Sequence, residues 1–239
     1  MVGTSGAGKT SLVMALFGLM QYRGGNVSGE VLLNGVNLLT LSRREARQIR
    51  GKQLSLIPQS PMTALNPAVS LRSHFEEAWR AHEPAGRAAL ESRVHKLLEE
   101  VQLPATETFL RSKPGQISVG QAQRILIALA LLHRPSILIA DEPTSALDPV
   151  TQAEIQKLLK GLNRQYATAL LYVSHDLPSV LELCDAILVL DSGTLVERVE
   201  VIEVEKAHHP TTLSLLRSLP IPPQLYISYC KQNSGIQSI

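Results

Sequence analysis

The chain has almost no cysteine: Cys184 and Cys230 are its only two in 239 residues, far apart and outside any CxxC spacing. That scarcity argues against a zinc site or a disulfide framework and fits a reducing cytoplasm. A large excess of charge of one sign is missing too. A net charge of +2 gives no reason to expect nucleic acid or an anionic lipid surface as a partner. Long apolar runs are also absent. The longest, Ile125 to Leu132, stops at His133-Arg134-Pro135, far short of the roughly 20 residues a bilayer span needs. No charged-then-apolar segment precedes the opening motif, so export is not expected. Neither a repeat nor a low-complexity block is visible. What is present is globular: 44% hydrophobic and 18% charged residues exclude a disordered or fibrous chain, and the length suffices for one large core.

Periodicity gives a coarse plan. Leu12, Val13, Ala15, Leu16 and Leu19 recur at helical spacing, so the chain runs from its first loop straight into a helix that Gly24-Gly25-Asn26 ends. Gly29 to Gly35 reads as a short strand with an Asn-Gly turn, part of a hairpin. The basic cluster Arg43, Arg44, Arg47, Arg50 and Lys52 reads as a solvated helix face, with a docking or nucleic-acid surface as the alternative. Leu54 to Gln59 is strand-like, and the following "SPMTALNP" is expected to lack regular structure. Leu90, Val94, Leu97, Leu98 and Val101 form the apolar stripe of a helix of about four turns. Apolar runs at Ile137 to Ala140, Ala169 to Val173 and Ala186 to Leu190 then alternate with helices, the pattern of a parallel sheet covered on both faces. The chain turns helical again around Leu213 to Leu216 and irregular at "PIPPQ".

Gly3-Thr4-Ser5-Gly6-Ala7-Gly8-Lys9-Thr10 satisfies GxxxxGK[ST], whose backbone N–H groups surround phosphate oxygens. Glycines admit the close approach, Lys9 brings a mobile charge, the Thr10 hydroxyl can ligate Mg²⁺, and the helix entered here points its positive end at the anion. A second element, Ile137 to Glu142, is a buried strand ending in two carboxylates. Buried charge is costly unless a cation sits at the tip, so Asp141 is placed to hold Mg²⁺ and Glu142 to polarise an attacking water. Ser118-Val119-Gly120-Gln121 is a local capping box opening a helix to His133. Asp148-Pro149 is an N-cap followed by proline at the first helical position, with Ile155, Leu158, Leu159 and Leu162 as the buried stripe. His175 stands between an apolar strand and a helix beginning near Leu177, at a strand tip of the kind where open α/β sheets bind ligands. His208 and His209 are adjacent, which suits solvent exposure better than a shared metal ion.

The string "ISVGQAQRILIALALLHRPSILIADEPTSALDP" resembles the signature-to-Walker-B segment of the ATP-binding cassette (ABC) ATPases, and the similarity runs over essentially the whole chain. The resemblance implies an α/β P-loop NTPase fold of the RecA-like kind. In it, a catalytic core (1–59 and 135–206) carries a helical insert (about 60–134) and a C-terminal extension (207–239), together one ABC ATPase domain. It implies ATP and Mg²⁺ as cofactors, with Gly3, Thr4, Ser5, Gly6, Ala7, Gly8, Lys9, Thr10 and Ser11 binding ATP and Thr10, Gln59 and Asp141 holding the metal. Glu142, His175 and Gln59 would be catalytic. Ser118, Val119, Gly120 and Gln121 would act on nucleotide held by another subunit, and Ser145, Ala146, Leu147 and Asp148 would form the D-loop.

"IPQSPMTALNP" and "HHPTTLSLLRSLP" are similar to segments of the importers of dipeptides, oligopeptides and nickel. This subgroup implies an identical or paralogous ATPase partner, transmembrane permease subunits, an extracytoplasmic binding protein acting indirectly, no nucleic acid, and a peripheral place on the cytoplasmic face of the inner membrane. With only Cys230 in the extension, no iron–sulfur or zinc site is expected. DNA-repair ATPases share these motifs, as would a structural or regulatory ATPase-like subunit. The former usually carry coiled-coil or zinc-bearing insertions, and no heptad run or CxxC occurs here. Two departures stand out. Val119 replaces the first glycine of LSGGQ, and its β-branched bulk predicts reduced turnover or one dominant site per dimer. Only Met1 and Val2 precede the glycine loop, where the family has a strand and, upstream, an adenine-stacking aromatic. Losing about five apolar strand residues would forfeit around 10 kcal/mol, so the natural protein is expected to begin further upstream.

Overall fold

The computed structural model describes residues 1–83, 86–222, 225 and 228. Cys230 lies outside the described residues. In chain order the elements are α1 (Lys9–Leu16), β1 (Leu32–Leu33), β2 (Val36–Asn37), α2 (Arg43–Ile49), β3 (Leu54–Ile57), α3 (Pro61–Ala64), α4 (Leu71–Arg80), α5 (Arg87–Glu100), α6 (Glu107–Arg111), α7 (Val119–Ala130), β4 (Ile137–Asp141), α8 (Pro149–Tyr166), β5 (Ala169–Val173), α9 (Leu177–Leu183), β6 (Ala186–Asp191), β7 (Thr194–Glu200) and α10 (Pro210–Arg217). They form two compact units, one of Met1–Leu12 with Tyr172–Ile239 and the other Val13–Leu171.

In the first unit Val2, 1% exposed, bridges in parallel to both Ser174 and Val189. Its N–H donates to the Leu188 carbonyl at 2.8 Å, and its own carbonyl accepts from Leu190 at 2.8 Å. Immediately before the glycine loop, Val2 is thus paired through its backbone on both sides. β6 and β7 make an antiparallel hairpin, with Ala186 opposite Glu200 and Asp191 opposite Thr194. The sequence reading does not anticipate β7, in which Leu195 is 53% exposed while Glu197 is only 7% exposed.

In the second unit β3 and β4 run parallel, Leu54 beside Ile137 and Ile57 beside Ala140, with β5 next in the sheet. α5 buries Leu90, Val94, Leu97 and Leu98 as its stripe requires, and α7 buries Ile125 and Ile127 completely. Each such side chain contributes about 1.5–3 kcal/mol. α7 ends at Ala130 rather than His133, in a turn through Leu131. Asn34 (φ 51°) and Gly35 (φ 81°) form the expected turn between β1 and β2, since only these residue types accept two left-handed positions cheaply.

Three local expectations change. α1 stops at Leu16, ahead of Gly18 at φ 64°, and a separate 3-10 turn (Met20–Arg23) is the piece that Gly24 closes. "SPMTALNP" contains the helical turn α3, because Pro61 sits at the first helical position, where its missing N–H costs nothing. Arg43, Arg44 and Arg47 are exposed as expected of a solvated face. Arg50 turns inward instead, donating to the carbonyls of Phe17 and Gly18, each at 2.8 Å. Among the described residues no helix is long and apolar enough to cross a membrane.

Candidate active site

The glycine loop is shaped by backbone contacts of the first unit. A Cβ on Gly3 would lie 2.3 Å from the Leu190 carbonyl oxygen and 3.3 Å from the Ala7 Cβ, so no other residue fits. Gly6 and Gly8 have φ of 82° and 94°, the left-handed region that glycine enters freely. The Ala7 N–H closes a turn on the Thr4 carbonyl, and the Gly193 N–H donates to Ala7. Lys9 is buried, and its Nζ donates to the carbonyls of Gly3 (2.9 Å) and Thr4 (3.1 Å), which folds the ammonium over its own loop. Thr4, Ser5, Gly6, Thr10 and Ser11 are exposed. His175 is exposed directly after Ser174, whose backbone bridges Val2. The structure therefore places His175 just beyond β5, beside the start of the glycine loop where Val2 bridges Ser174.

The second unit makes a matching pair. The parallel register of β3 and β4 puts their C-terminal ends side by side, and beyond them the Gln59 amide Nε2 donates to Glu142 Oε2 at 3.1 Å. Asp141, the last residue of β4, is 4% exposed. Glu142 adopts φ 45°, a left-handed conformation that costs a non-glycine residue on the order of 1–3 kcal/mol and clusters at functional positions. Its carbonyl accepts from the Ser145 hydroxyl (3.0 Å) and N–H (3.2 Å), which holds this backbone in place and starts the segment Ser145 to Asp148.

Ser118 and Gln121 form the capping box read from the sequence: Gln121 N–H donates to Ser118 Oγ at 3.2 Å, and Ser118 N–H donates to Gln121 Oε1 at 3.0 Å. Val119 opens α7 with its side chain 40% exposed. Asp148 caps α8, accepting from the N–H groups of Val150 and Thr151. Hydrogen bonds from the Thr151 hydroxyl first, and then from backbone N–H groups, hold its carboxyl below the usual range.

The "HHPT" segment has a local role the sequence did not reveal. Glu197 on β7 accepts from the His208 N–H (2.9 Å), and its Oε1 lies 2.9 Å from His208 Nδ1, while that imidazole is 87% exposed. Burial pushes the Glu197 carboxyl up, and the hydrogen bonds it accepts outweigh this and hold it below its ordinary value. His209 Nδ1 accepts from the Thr211 N–H and so caps α10. These are structural contacts, and among the described residues no metal-binding cluster occurs. The sequence reading also passed over Thr151 and Arg124; the only signal was the capping spacing of Asp148 and Thr151.

A GxxxxGK[ST] loop running into a helix, a carboxylate pair at the end of a parallel strand and a capped glycine-bearing helix are each marks of an ATP-binding cassette. The chain belongs to the ABC transporter family, which it matches over residues 1–145. It is 37% identical over 220 residues to the oligopeptide transport ATP-binding protein OppD of Salmonella typhimurium, covering 92% of this chain and 65% of that protein. To the dipeptide transport ATP-binding protein DppD of Haemophilus influenzae it is 40% identical over 221 residues, covering 92% and 67%. The chain thus spans about two thirds of these relatives' length. Among solved structures it superposes on the ATP-binding cassette MJ0796, a dimeric post-hydrolysis state bound to ADP and Pi. The TM-score is 0.71 at 28% identity over 83% of both chains. The P-loop NTPase fold of ABC type is therefore established.

Proposed function

We propose that this chain is the ATP-binding and hydrolysing subunit of a peptide importer, acting as a dimer peripheral to the cytoplasmic face of the membrane. The contact that supports hydrolysis most is Gln59 on Glu142. It sets a carboxylate at a strand tip, in a backbone conformation that local hydrogen bonds sustain, where it can take a proton from an attacking water. The glycine loop fits a β,γ-phosphate pair, because close approach of anionic oxygens is what its missing side chains and left-handed glycines permit. Lys9, now satisfied by the loop's carbonyls, carries the charge that would move to phosphate.

The Thr10 hydroxyl, the Gln59 amide oxygen and the Asp141 carboxylate are hard oxygen donors of the kind Mg²⁺ takes. The ion would neutralise triphosphate charge. His175 would hydrogen-bond the terminal phosphate. Ser118 to Gln121 would turn the α7 N-terminus toward the γ-phosphate held by a partner subunit, and Ser145 to Asp148 would complete that shared face.

Peptide cargo follows from relatives named for oligopeptide and dipeptide transport. The same relatives favour transport over a DNA-repair or purely regulatory role. Permease subunits and an external binding protein are the implied partners. Co-expressed with such a permease pair, the chain is expected to co-purify from membranes and to release phosphate faster when peptide-loaded binding protein is added. Absence of both effects would overturn the importer reading. Val119→Gly is expected to raise turnover by about two- to tenfold, the size of one removed obstacle of up to about 1.4 kcal/mol. A rate that does not rise would show that the valine is no impediment.

A further inference from the structure

The signature segment and the D-loop are separated in sequence, yet one side chain touches both. Thr151 Oγ1 donates to Asp148 Oδ2 at 2.6 Å, and the Thr151 N–H donates to Asp148 Oδ1 at 3.0 Å. On its other side the Thr151 methyl faces the backbone of Gly120, where a Cβ would fall 2.9 Å from Cγ2. About one turn further along each helix lies a second link. Arg124, its side chain 10% exposed, donates to Glu154 Oε2 at 2.8 Å. Its other terminal nitrogen donates to the Val101 carbonyl (3.0 Å) and Gln102 Oε1 (2.9 Å) just beyond α5.

Gly120 and Arg124 share one face of α7, as Thr151 and Glu154 share one face of α8. Two links at different heights along a pair of helices oppose both sliding and rotation. The Thr151 methyl cannot swing away without breaking the hydroxyl bond to Asp148, since both groups sit on one β-carbon.

We propose that Thr151 is a positioning residue that locks the signature segment to the D-loop. Engagement of Ser118 to Gln121 with a partner's nucleotide then sets the place of Asp148 at the same moment. This rests on the reading that both segments act on nucleotide held by a second subunit. It adds that they respond together, through a side chain that itself touches no nucleotide.

The test is a double-mutant cycle on the full chain with Gly120→Ala, Thr151→Ser and both together, reading kcat and KM for ATP with melting temperature as a control. Gly120→Ala adds a methyl where Thr151 leaves no room, and Thr151→Ser removes the opposing methyl while keeping the hydroxyl. Each single variant is expected to lose about three- to tenfold in kcat, with KM for ATP near wild type in Thr151→Ser because Thr151 itself touches no nucleotide. The double variant is expected to lose much less than the product of the two losses, because the new methyl occupies the vacated space. Thr151→Val, which keeps the shape and drops the hydroxyl, is expected to lower kcat at unchanged KM and melting temperature. Losses that multiply in the double variant, or a Thr151→Val enzyme with wild-type kcat, would overturn the lock alone. A wild-type chain without Mg²⁺-dependent ATPase activity would overturn the underlying site reading and the lock with it.

Discussion

Glu142→Gln is expected to cut ATP hydrolysis by about a hundredfold or more while leaving ATP binding intact, the usual size of a lost general base. Shape is conserved: glutamine is isosteric and meets the same left-handed backbone at φ 45°, which the Ser145 hydroxyl and N–H still brace through the residue's carbonyl. The Gln59 amide can still donate to the new side-chain oxygen as it does to Oε2 at 3.1 Å. What disappears is the capacity to accept a proton from water, so the deficit belongs to kcat. Phosphate release measured beside nucleotide titration separates the two quantities, and gel filtration with Mg²⁺ and ATP should show the variant held as a dimer. Hydrolysis at the wild-type rate would mean that another group serves as base.

Gly3→Ala is expected to be the most damaging single-methyl change in the molecule. The added carbon would sit 2.3 Å from the Leu190 carbonyl oxygen and 3.2 Å from its carbon. That backbone cannot retreat, because the Leu190 N–H is bonded to Val2 and the Val2 N–H to Leu188, each at 2.8 Å. Overpacking ordinarily costs about 1–3 kcal/mol, and a backbone obstacle belongs at or beyond the top of that range. Against a net domain stability of about 5–15 kcal/mol, this loses soluble protein as well as nucleotide affinity. Gly6→Ala is the control: its Cβ would meet nothing within 4 Å, so it bears only the left-handed backbone strain of about 1–2 kcal/mol. Denaturant midpoints and ATP titrations of the two variants should differ sharply. Equal midpoints would contradict the packing of Gly3 on Leu190.

Much of the candidate site is readable from sequence because its pieces are local. The capping box of Ser118 and Gln121, the Asp148 cap with Pro149 behind it, and the Asn34-Gly35 turn each involve residues within about four positions, where side-chain chemistry and backbone angles decide the outcome without help from the rest of the chain. The same holds for the buried stripes of α5 and α8. Where the reading failed, a distant partner had overruled the local signal. Glu197 is buried where the backbone N–H groups of His208 and His209 meet it, while Leu195 stays exposed, so no local pattern marks β7 as a strand.

By itself, then, the sequence determined which segments can cradle phosphate, cap a helix or end a strand in carboxylates, since those properties reside in short-range geometry. Only the tertiary structure decided that Gln59 meets Glu142, that Val2 stands between Ser174 and Val189 as the stem of the glycine loop, and that Thr151 is wedged between Gly120 and Asp148. Those adjacencies depend on strand register and helix packing between residues remote in the chain, and no short window of residues carries that information.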